Sequence, residues 1–87
     1  MEGVISSGER LAVPERVIVA PASGKFRPVS EGDAAQDVAE EQVIGFVDGV
    51  GHSTPVRSPF RGFLMGLLAH AGERVREGQP VAWLRIA

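Results

Sequence analysis

The feature that most constrains this chain is an internal echo. Pro21-Ala22-Ser23-Gly24 returns as Pro59-Phe60-Arg61-Gly62, 38 positions on (59 − 21). Val38-Ala39-Glu40-Glu41-Gln42, followed by Ile44 and Phe46, returns as Val75-Arg76-Glu77-Gly78-Gln79, followed by Val81 and Trp83. That offset is 37 (75 − 38), the same register with one residue of loop slack. Two copies of a short β-motif in 87 residues predict a pseudo-symmetric barrel, with the chain between them forming a distinct hairpin.

Punctuation and apolar runs point the same way. Eleven glycines and six prolines leave no room for a long helix. The β-branched runs Val17-Ile18-Val19, Val43-Ile44 with Phe46-Val47, and Val81-Ala82-Trp83-Leu84 with Ile86 are short and strand-like. Residues 32–42 carry one strong apolar side chain, Val38, too few for a helix with a face to bury, and read as a loop with a short strand or turn. Along the last strand, Val81/Trp83/Arg85 and Ala82/Leu84/Ile86 both begin apolar, as expected of a strand near the seam of a flattened sandwich. Residues 1–13 are expected to be a partly ordered tail or an extra strand, with one folded domain over 14–87.

Several function classes recede on composition. Net charge is −2, and the arginines are scattered rather than gathered in a run, so nucleic acid is not the expected partner. The longest apolar stretch, residues 63–71, is interrupted by Gly66 and His70 and is shorter than the ~20 residues needed to span a bilayer. No cysteine is present, which excludes disulfides and thiolate chemistry. The start has neither a basic n-region nor an apolar h-region, so the expectation is a cytoplasmic protein without membrane association.

A Pro-x-x-Gly turn, a strand, Gly-[Asp/Glu]-x-Val, x-x-Gly-Gln and a closing apolar strand resemble the recurring half of the biotinyl/lipoyl carrier domains, as in biotin carboxyl carrier protein. The resemblance covers about residues 16–86. Ser58-Pro59-Phe60-Arg61-Gly62 through Gly72-Glu73-Arg74-Val75-Arg76-Glu77-Gly78-Gln79-Pro80-Val81 fits the second half without a gap. In the first half the strand over 24–32 is shorter, and Asp33-Ala34-Ala35-Gln36-Asp37 lengthens the loop before Val38. The resemblance implies an all-β barrel-sandwich hybrid of two small antiparallel sheets with pseudo-two-fold symmetry.

Carriers of this family attach biotin or lipoate through an amide to a lysine at the tip of the hairpin joining the halves, between two methionines in biotin carriers. Counting back from Ser58-Pro59, that position falls on Gly51, flanked by Val50 and His52. The one lysine of the chain, Lys25, lies in the first Pro-x-x-Gly turn. No amide can form at the hairpin, so no cofactor is expected there. The resemblance therefore implies a non-catalytic module without the modifiable lysine. It would serve as a protein-interaction or regulatory subunit, within an acyl-CoA carboxylase or related cofactor-dependent assembly.

Other readings place the chemistry elsewhere. A carrier could be modified at an unusual residue, Lys25 included. His52, with Asp48 and His70, could supply a metal or small-ligand site, although scattered histidines lack a spaced ligand set. Ser53 beside His52 and near Asp48 does not set nucleophile–base geometry. Gly45, Gly49 and Gly51 are followed by no Lys-Ser/Thr, so they do not form a phosphate loop. Phe60, Phe63, Leu64 and Met65 crowd one strand start. In so small a barrel they cannot all point inward, and those left outside would form a contact surface for a larger subunit or a second copy of the chain.

Overall fold

The computed structural model describes residues 14–30 and 36–86, so the expectation for residues 1–13 lies outside the described residues. Within them every regular element is a strand: β1 (Glu15–Val19), β2 (Gly24–Pro28), β3 (Gln36–Val38), β4 (Val43–Gly49), β5 (His52–Arg57), β6 (Gly62–Leu67), β7 (Arg74–Val75) and β8 (Pro80–Ile86). No helix among the described residues is long and apolar enough to cross a membrane.

The strands form two antiparallel four-stranded sheets, ordered β1-β8-β6-β3 and β5-β4-β2-β7. An all-β sandwich follows. Inward positions alternate with outward ones, most regularly in β2, where Gly24, Phe26 and Pro28 are buried and Lys25 and Arg27 are exposed. The core joins Ile18, Phe26, Val38, Ile44, Val47, Val56, Val75, Val81 and Leu84, with Phe60, Leu64, Leu67 and Ile86 packed against it.

Two consecutive inward residues in each long strand have a local cause. Between β1 and β8, Ile18 faces Ala82 and Val19 faces Pro80, so Val81 is an extra residue. Between β5 and β4, Val56 faces Gly45 and Arg57 faces Val43, so Ile44 is extra. Each extra residue forms a β-bulge and turns inward beside its neighbour: Val81 with Ala82, Ile44 with Gly45. The apolar start of both faces of β8 is therefore produced by a bulge, where the sequence pattern suggested a seam position. A third irregularity falls at Met65, between the pairs Leu64–Leu84 and Gly66–Trp83.

Glycine is required where strands cross closely. A Cβ on Gly24 would lie 2.5 Å from the Asp48 carbonyl oxygen, and one on Gly62 would collide with the carbonyl oxygen of Arg85. The buried Ser58 donates through Oγ to the Phe60 carbonyl (2.6 Å) and accepts from the Phe60 N–H (3.2 Å), closing the turn that leads into β6.

Candidate functional site: the β4–β5 tip and the groove beside it

β4 and β5 pair from Val43–Arg57 to Gly49–His52, leaving Val50 and Gly51 as a two-residue loop. Of these two only Gly51 has a positive φ (+77°), which a residue without Cβ adopts at little cost. The expected attachment position is thus the outer corner of a tight turn, with open space around Gly51 and a fully exposed Val50 beside it. His52 is also exposed; its imidazole lies over the Cα of Gly49, and Nδ1 is 3.4 Å from Thr54 Oγ1.

Asp48 is committed to its neighbours. Arg27 donates to it twice, from Nε to Oδ2 (2.8 Å) and from Nη2 to Oδ1 (3.1 Å). Ser53 Oγ donates to Oδ1 at 2.6 Å and accepts from Arg27 Nη2 at 3.3 Å. The Arg27 guanidinium stacks 4.6 Å from the centroid of Phe46. Hydrogen bonds from Arg27 and then Ser53 hold the Asp48 carboxyl down at about 2. The carboxylate that accepts from Ser53, held down by Arg27, is a poor base for activating the hydroxyl. His52, Asp48 and His70 do not assemble either: among the described residues no group of three histidine, aspartate or glutamate side chains could hold a metal ion.

The four apolar residues around the start of β6 divide between core and surface. Phe60 and Leu64 pack against the core, while Phe63 and Met65 are exposed on β6. Val17 on β1 and Leu68 just beyond β6 are exposed as well, and with Trp83 they line a shallow depression. Trp83 sits over Gly66, where a Cβ would come within 3.2 Å of the indole nitrogen.

The arginines, scattered in sequence, prove partly gathered. Cross-strand register sets Ser53, Asp48, Lys25 and Arg74 in one row over β5, β4, β2 and β7. Arg76 follows two residues after Arg74. Together they border a groove of about 740 Å³ between the hairpin base and β7, with Ser23 and Gln79 on its wall. Sequence reasoning missed this groove because it weighed arginines by their spacing along the chain. Lys25 and Arg74 are 49 positions apart (74 − 25) and meet only through the pairing of β2 with β7. No protein-family model matches this chain, and no curated protein matches it significantly.

Proposed function

We propose that the chain is a biotinyl/lipoyl-type barrel that has lost its attachment lysine and works as a non-catalytic interaction or regulatory module. Its partner would be a larger subunit of a cofactor-dependent assembly such as an acyl-CoA carboxylase. The observation that carries this reading is a recurrence of register. Adding 38 to a β1 residue and subtracting 37 from its β8 partner turns Glu15–Arg85 into Ser53–Asp48 and Val17–Trp83 into Pro55–Phe46. The bulge-flanking pair Val19–Pro80 likewise becomes Arg57–Val43. Turn contacts follow the same rule. Ala20 N–H donates to Gln79 O and Ser58 N–H to Gln42 O, at 2.8 and 2.9 Å. Such recurrence supports two halves of one duplicated unit related by a pseudo-two-fold axis, the architecture of the carrier family.

The hairpin joining the halves then stands where a carrier presents its lysine, and here it presents Val50 and Gly51. With no amine at that corner, what remains for recognition is surface: the exposed Phe63 and Met65 with Val17 and Leu68. The test uses the intact chain as bait, comparing wild type with Phe63→Asp and Met65→Asp. Co-purification of a biotin- or lipoyl-dependent enzyme subunit that either substitution abolishes supports the reading. A partner set unchanged by both substitutions, or one without such enzymes, overturns it.

A further inference from the structure

The groove beside the hairpin carries an arrangement that the interaction reading does not use. Lys25 and Arg74 are direct cross-strand partners, and like charges directly opposite one another destabilise a sheet. The acid that could relieve them, Asp48, is the other direct partner of Lys25, yet it is taken by Arg27 from a diagonal position. Lys25, Arg74 and Arg76 form no ion pair among the described residues. Three cations thus face one groove with no acid engaged to balance them.

The hydrogen-bonding capacity of the wall is equally one-sided. Ser23 Oγ already accepts from the Glu77 N–H (3.2 Å), which leaves its hydroxyl proton to donate outward. Gln79 Oε1 accepts from the Arg76 N–H (3.1 Å), leaving its amide NH₂ for a ligand. Asp48, the single acid lining the groove among the described residues, has both oxygens engaged by Arg27 and Ser53. Lysine and arginine donate only. Three cations, the Ser23 hydroxyl and the Gln79 amide outweigh the acceptors left to Asp48 and His52, and that excess of open donors selects a ligand rich in acceptor oxygens and negative charge.

We propose that this groove binds a small oligophosphate, with Lys25 and Arg74 on neighbouring phosphoryl groups and Arg76 and Ser23 completing the cradle. Paired strands place Lys25 and Arg74 about 5 Å apart at the backbone, and Arg76 follows roughly 7 Å along the chain. That spread suits a chain of phosphoryl groups better than a single one, and planar guanidinium forks suit phosphate oxygens. The volume lies within the ~300–1,000 Å³ of small-molecule sites. The site does not depend on the carrier-like reading of the fold.

The experiment is an NMR titration of the ¹⁵N-labelled full chain with inorganic triphosphate, orthophosphate and a hexaglutamate peptide, at low and moderate salt. The expected result is saturable shifts at the amides of Lys25, Arg74 and Arg76. Triphosphate should bind at least tenfold more tightly than orthophosphate, and more weakly as salt rises. The variant Lys25→Gln/Arg74→Gln should lose at least tenfold in affinity, while Arg57→Gln/Arg61→Gln retains it; the spectra themselves report whether each variant is folded. Three outcomes overturn the proposal: no saturation, equal weakening by the two variants, or tighter binding of hexaglutamate than of triphosphate.

Discussion

At the residue scale, Asp48 makes a prediction with a definite sign. Its carboxyl is held at about 2 in the folded protein, below the ordinary value of 3.8. A depressed folded-state value contributes stability that is complete above the unfolded value and is lost as pH falls from about 4 towards about 2. Thermal melts of wild type and Asp48→Asn between pH 6 and pH 2 should therefore converge at the acid end. Parallel curves across that range would show that the Arg27–Asp48–Ser53 cluster does not couple to folding. A second residue is informative because its counterpart differs. Glu41 adopts φ +72° one residue before Gln42, much as Gly78 adopts φ +88° one residue before Gln79. An L-residue in that region bears a strain of roughly 1–2 kcal/mol. Part of the gain is offset by the greater freedom of glycine in the unfolded chain. Glu41→Gly should then stabilise by about 0.5–1 kcal/mol in urea melts, whereas Gly78→Ala should destabilise by about 1 kcal/mol.

At the element scale, much of the strand layout was legible. Short β-branched runs between prolines and glycines mark β1, β4 and β8, and the Pro-x-x-Gly turns mark the entries to β2 and β6. The short β3 was also within reach, since one apolar residue, Val38, could anchor a strand but not a helix. Bulges were not legible. A bulge depends on how a partner strand skips a residue, and nothing near Val81 or Ile44 in sequence announces it. The hairpin tip was legible as a position, while the diagonal grip of Arg27 on Asp48 was not, because it depends on register between β2 and β4. Close strand crossing supplies the test at this scale. Gly24 and Gly62 each lie against a backbone carbonyl that cannot swing aside as a side chain would. Gly24→Ala and Gly62→Ala should each cost about 1–3 kcal/mol by overpacking. Chemical denaturation measures this, and Gly51→Ala, with open space around it, should cost only the conformational strain.

At the scale of the whole molecule, the core is small, so single deletions matter. Phe26 on β2 is fully buried and the largest such side chain among the described residues. Phe26→Ala should remove about 3–5 kcal/mol. A domain of ordinary stability has only about 5–15 kcal/mol in total, so far-UV circular dichroism should show a melt tens of degrees lower or a chain already unfolded at room temperature. A near-native melt would mean that the sheets are not held together through Phe26. Charge at this scale is uneven in a way that net charge conceals: an overall −2 coexists with Lys25, Arg74 and Arg76 around one groove. Function is the least legible layer: the proposed carrier-like scaffold would lack its attachment chemistry, and no residue pattern specifies what replaces it. On the proposed function, the chain carries no covalent cofactor. The mass of the intact protein, purified from its own cells, tests it most directly. The expected result is the polypeptide mass with no biotinyl or lipoyl increment; such an increment, at Lys25 or at any other residue, would contradict the proposed reading.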